Sequence, residues 1–68
     1  NIMIRYYIEN YNTGYTVTEN NYTKYFSTFN KADNYLNDNF YHLKDYDNFY
    51  LVCESFINGI CKKIPIEY

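Results

Sequence analysis

The stretch NFYLVCESFINGICKKIPIEY, residues 48–68, decides the fold. Two runs rich in β-branched and aromatic residues flank Asn58-Gly59. Both residues accept the left-handed backbone that a two-residue hairpin loop requires, which makes this the strongest short hairpin signal a sequence offers. A loop of that length pairs Ile57 with Ile60, Phe56 with Cys61, Glu54 with Lys63 and Cys53 with Ile64. The opposite charges of Glu54 and Lys63 support the register. Alternation then sends Phe49, Leu51, Cys53, Ile57, Ile60, Ile64, Ile66 and Tyr68 to one face. Tyr50, Glu54, Phe56, Cys61, Lys63 and Glu67 go to the other.

The same register separates the two cysteines. Cys53 points inward and Cys61 outward, and they lie roughly 10 Å apart along the ladder at about 3.3 Å per residue. A disulfide needs Cα atoms within about 7 Å and Cβ vectors that face each other. Two free thiols are expected, as in a reducing cytoplasm. Pro65 falls opposite Val52 and cannot donate to a ladder, so the last strand is expected at a sheet edge.

Working outward, Ile2, Ile4, Tyr6 and Ile8 alternate with Met3, Arg5, Tyr7 and Glu9, which predicts a first strand with one buried face. With Thr13-Gly14 as a two-residue loop, a second strand over 15–19 places Ile8 across from Glu19 and Asn10 across from Val17. Tyr15 and Val17 join the inner face. Asn20-Asn21 reads as another hairpin turn, and a third strand over 22–27 adds Tyr22 and Phe26 to that face.

The period then changes. Ala32, Tyr35, Leu36, Phe40 and Leu43 form one helical stripe within residues 28–43. Thr28 or Asn30 is placed to cap it. Asn30, Asn34, Asn37 and Asn39 lower its intrinsic propensity, so it leans on packing. His42 falls at its C-terminal end. These elements predict a single α+β domain over 1–68, β-β-β-α-β-β. One helix packs on one face of a mainly antiparallel sheet of order 3-2-1-4-5.

Bulk composition narrows the function classes. Sixty-eight residues bury only about 60% of their unfolded surface, so the stability margin is thin. A hydrophobic content of 47% still suffices for a core. Net charge is −2 with no block of like charge, which speaks against a basic nucleic-acid footprint. No apolar run is long enough for a membrane span or a signal-peptide core, and residues 1–10 read as a strand instead of a targeting segment. The abundance of Asn, Tyr, Ile, Lys and Phe points to AT-rich codons, as in a low-GC bacterium, its phage or a mobile element.

Candidate chemistry is sparse. His42 is the single histidine, and no nucleophile with an acid can be assigned to it. Cys53, Cys61 and His42 match no zinc spacing. Asp45 and Asp47 lack the glycine and glutamate of a calcium loop and read as a solvated exit from the helix. Asn21-Tyr22-Thr23 matches a glycosylation sequon without a secretory signal. Two glycines cannot build a phosphate loop. The expectation is a protein that is not an enzyme and holds no cofactor or metal.

The informative feature is the outer sheet face. Met3, Arg5, Tyr7, Tyr11, Tyr25, Tyr50, Phe56 and Cys61 point away from the helix, more aromatic surface than a solvated face usually shows. Arg5, Tyr7, Tyr11, Tyr25, Tyr50 and Phe56 are the expected contact set for a partner protein, since rigid rings give area at low entropic cost. The plain alternative is that β-propensity and AT-rich codons supply tyrosine with no binding role. Stacking of single-stranded nucleic acid on the same rings is a further reading, weakened by the missing basic surround. Self-association into a homodimer, through the tyrosines or an edge strand, is another.

Size, AT-rich residue use and the lack of catalytic groups are similar in kind to small phage or mobile-element inhibitors of host defence, such as anti-CRISPR proteins. The similarity is one of type and attaches to no motif. It implies a cytoplasmic, non-enzymatic protein that inhibits or modulates a host protein.

Overall fold

The computed structural model describes residues 2–44 and 46–66. Three long strands form the main sheet: β1 (Ile2–Asn10), β4 (Phe49–Ile57) and β5 (Ile60–Pro65), in the order β1-β4-β5 and antiparallel throughout. Between β1 and β4 the chain forms a short hairpin, β2 (Thr18–Glu19) and β3 (Tyr22–Thr23), then the helix α1 (Phe29–Phe40) and a 3-10 turn at Tyr46–Asn48. The α+β class and the element order read from the sequence both stand.

The β4–β5 hairpin forms in the expected register. Asn58 and Gly59 take φ of 51° and 82°, and Glu54 lies opposite Lys63. Cys53 pairs with Ile64 and Cys61 with Phe56, so the thiols occupy opposite faces and both are free. Pro65 sits across from Val52 on the edge strand, where a missing N–H costs the ladder nothing on its open side.

The five-stranded order 3-2-1-4-5 is corrected. β2 and β3 form a separate two-stranded sheet that meets β1 only through bridges at Tyr6–Phe26 and Glu9–Thr16. The cause lies in residues 10–14. The Asn10 carboxamide oxygen accepts from the N–H groups of Asn12 and Thr13, and Gly14 N–H donates to the Asn10 carbonyl. This Asx-type turn makes a four-residue loop. Asn10 N–H then donates to Tyr15, not to the expected partner Val17. The register slips by two residues, so the faces keep their identity. Val17 N–H reaches the Ile8 carbonyl while Phe26 exchanges hydrogen bonds with Tyr6. Both legs thus return to one short length of β1, and the tip between them stands off the sheet. Tyr22, expected inside, is exposed for this reason; Tyr15, also expected inside, is exposed beside the loop, opposite Asn10 at the end of β1. The Asn20-Asn21 turn itself forms as read, with φ of 55° and 69°.

Thr28 caps α1 by accepting from Lys31 N–H at 3.2 Å. Ala32 and Leu36 are buried, and Tyr35 and Phe40 lie partly buried beside them. The helix stops at Phe40, short of the expected Leu43, which is exposed. In its last turn the Asn39 side chain donates to the Tyr35 carbonyl, a local competitor for the backbone. His42 follows in an exposed turn. Asp45, Glu67 and Tyr68 lie outside the described residues.

The core gathers Ile8, Phe26, Ala32, Leu36 and Leu51, ringed by Tyr6, Val17, Phe29, Tyr35, Phe40, Phe49 and Ile66. Phe29 at the helix start packs edge-on to Tyr6, and Phe40 at its end stacks on Phe49 at 4.6 Å. The helix therefore covers the end of the sheet away from the β4–β5 turn. Twelve helical residues span about 18 Å, whereas a nine-residue strand spans about 30 Å. The other end stays bare: Ile2, Ile4, Ile57, Ile60 and Ile64, expected inside, are 42–69% exposed.

Candidate functional site

On the outer face the register places Met3, Phe56 and Cys61 in one row across the three strands, and Arg5, Glu54 and Lys63 in the next. Tyr7, Val52 and Pro65 form the third row, and Glu9 beside Tyr50 the last. Tyr25 joins from outside the sheet. It precedes Phe26 in an extended segment, so when Phe26 turns into the core Tyr25 turns outward.

These residues roof the face. The Arg5 guanidinium lies 3.5 Å from the Tyr25 ring centroid and 5.2 Å from that of Phe56. Its Nε donates to Glu54 Oε1 at 2.5 Å, and Lys63 Nζ stands 3.8 Å from Oε2. Each cation–π contact is worth about 0.5–2 kcal/mol depending on how dry it is. Tyr7 packs edge-on under Tyr25, with centroids 5.9 Å apart. Beneath this cover Tyr7 and Val52 are buried, as is Glu54, only 4% exposed. Of the expected contact set, Arg5, Tyr7, Tyr25 and Phe56 are thus brought together. Tyr7 is a support under Tyr25 and is not open to a partner.

Tyr11 and Tyr50 form a second group at the far end. They line a cleft of about 330 Å³ with Asp47, Asn48, Pro65 and Ile66. Tyr50 Oη donates to Glu9 Oε2. That bond, with burial and the Glu9 charge adding to it, pushes the Tyr50 phenol up to about 12. Burial first, then the Glu9 and Glu54 charges, raises Tyr7 above its usual 10.0. Because the folded value of Tyr50 exceeds the unfolded one, its contribution to stability is full below pH 10 and fades as pH climbs toward 12. Glu9→Gln is expected to return the Tyr50 titration toward 10, read as phenolate absorbance. An unmoved titration would show that Glu9 does not hold the phenol.

Sequence reasoning missed the bare isoleucine half of the inner face. Comparing helix length with strand length would have exposed it. Among the described residues no three His, Cys, Asp or Glu side chains converge on a metal-sized site. No helix there is long and apolar enough to cross a membrane. No protein-family model matches this chain, and no curated protein or solved structure matches it either.

Proposed function

We propose that this chain is a non-enzymatic protein-binding module whose contact surface is the outer sheet face. Tyr25 and Phe56 would make contacts around Arg5, with Tyr7 beneath, and Tyr11 and Tyr50 would make others at the far end of the face. The observation that carries the reading is the Tyr25–Arg5–Phe56 stack, locked at Arg5 by Glu54. Rings already held in place lose little freedom on binding, and Tyr and Arg are the residues that most often dominate interfaces. The cations of this face are few: Arg5 is held by Glu54 at 2.5 Å and Lys63 stands 3.8 Å from the same carboxylate, which offers phosphates little and disfavours the nucleic-acid reading. Free thiols on both faces suit a reducing cytoplasm. The finer identity, a phage or mobile-element inhibitor of a host protein, rests on size and AT-rich residue use.

The test is affinity capture from extract of a low-GC bacterium, followed by affinity measurement on the captured protein. Tyr25→Ser and Tyr11→Ser should each weaken binding, Tyr25→Ser by roughly 30-fold if it is an interface anchor. Melting curves confirm folding. Equal binding by wild type and both folded variants would remove this surface from consideration.

A further inference from the structure

We propose that the bare isoleucine half of the inner face binds a second copy of this chain, in a reversible dimer that laps the two sheets. This does not rest on the outer-face reading. The row nearest the β4–β5 turn is Ile2, Ile57 and Ile60 across all three strands. The next is Ile4, Ser55 and Lys62, and the third is Tyr6, Cys53 and Ile64. Helix α1 begins only at that third row, where Phe29 meets Tyr6. Five isoleucines therefore stand 42–69% exposed on one face.

The shape selects the occupant. A helix is about 10 Å thick, and sheets stack about 10 Å apart. Helix α1 fills about 18 Å of a layer above the sheet and leaves a step about 12 Å long over the bare rows. A second sheet, turned over about a two-fold axis across the strands, fits that step. Its own helix then drops past the hairpin end of the first sheet. The same patch serves both copies, as a closed two-fold interface requires. In this arrangement the row at the turn faces the second copy's third row. The hollow of about 150 Å³ between Ile57, Asn58, Ile60 and Lys62 would then take the second copy's Ile64.

The area sets the strength. Taking about 120 Å² of side-chain surface for a fully exposed isoleucine, each copy offers about 330 Å². Two copies cover about 650 Å² of apolar surface, and at the ~65% apolar share of homodimer interfaces the contact totals about 1,000 Å². That is the lower bound for a specific interface, so the dimer forms and dissociates with concentration. Lys62 lies at the β5 edge of the patch. Its stem can rest on the isoleucines while the ammonium reaches water beside the second copy's Lys62. Salt screens that repulsion and strengthens apolar burial, so added sulfate should raise the dimer fraction.

The experiment is sedimentation from micromolar to near-millimolar protein, paired with a dilution series on isoleucine-methyl-labelled wild-type chain. The mass should rise toward two chains. The methyl signals of Ile2, Ile4, Ile57, Ile60 and Ile64 should move with concentration, while buried Ile8 and core-packed Ile66 stay fixed. Ile60→Glu at the exposed strand end should restore the single-chain mass, with a melt to confirm the fold, and Tyr25→Ser should leave the dimer intact. A single-chain mass at every concentration overturns the proposal. So does a dimer that survives Ile60→Glu, one that dissolves in sulfate, or one whose moving signals exclude these methyls.

Discussion

Leu51→Ala is expected to remove a large part of the chain's stability. Leu51 is fully buried near the helix-covered end of the middle strand, opposite Ile8 on β1, and it packs with Leu36 and Ala32 of α1. Its truncation removes transfer free energy and leaves a cavity that the sheet backbone cannot close, a cost of about 2–5 kcal/mol. A chain of this length, at about 0.05–0.15 kcal/mol per residue, holds only about 3–10 kcal/mol in all. At mid-range values one substitution thus removes about half of the total. With a domain this small losing about 4–8 °C per kcal/mol, the melting midpoint should fall by about 8–40 °C. Ile60→Ala is the control: the same chemistry on the bare half of the same face should cost under about 0.5 kcal/mol in dilute monomer. Circular-dichroism melts of both variants decide the point. Similar losses for the two would mean that the core does not sit at the covered end.

The parts of the fold that could be read from the sequence are those fixed by local chemistry. Asn58-Gly59 set a hairpin loop whose register then placed every β4–β5 pair, the split of the cysteines and the edge position of Pro65. Thr28 and the Ala32–Leu36 stripe likewise announced the helix. What stayed hidden depended on competition between partners. Nothing in the alternation of residues 15–27 reveals that Asn10 closes a longer loop on its own backbone. Nor does it show that Val17 and Phe26 return to one edge of β1 and lift the tip away. Tyr7 illustrates the same limit at the candidate site. Its outward phase was legible, but its burial depends on Tyr25, which is swung into place by the neighbouring Phe26. The exposed isoleucines had a legible phase too; their exposure follows from a helix shorter than the strands it covers.

Glu54 offers the second large effect, because a carboxylate with a side chain only 5% exposed has few ways to recover water. Its main partner is Arg5 at 2.5 Å, with Lys63 more distant at 3.8 Å. Arg5→Met removes the close cation and leaves the charge under the Tyr25 roof with a single long contact. The expected loss is about 3–4 kcal/mol, within the range seen when one member of a buried pair is deleted. Glu54→Leu should cost less, about 2–3 kcal/mol, since the Arg5 side chain is 31% exposed and its guanidinium can turn toward solvent. The double variant replaces both charges by apolar groups of similar size. It should lie within about 1 kcal/mol of wild type, losing chiefly the stack on Tyr25. Denaturant unfolding of the four proteins closes the cycle, and the coupling expected from these losses is about 4–7 kcal/mol. Additive losses would mean that Arg5 and Glu54 do not act as a unit. In that case Glu54 would not lock Arg5 over Tyr25, and the outer face would lack the fixed stack on which its binding role depends.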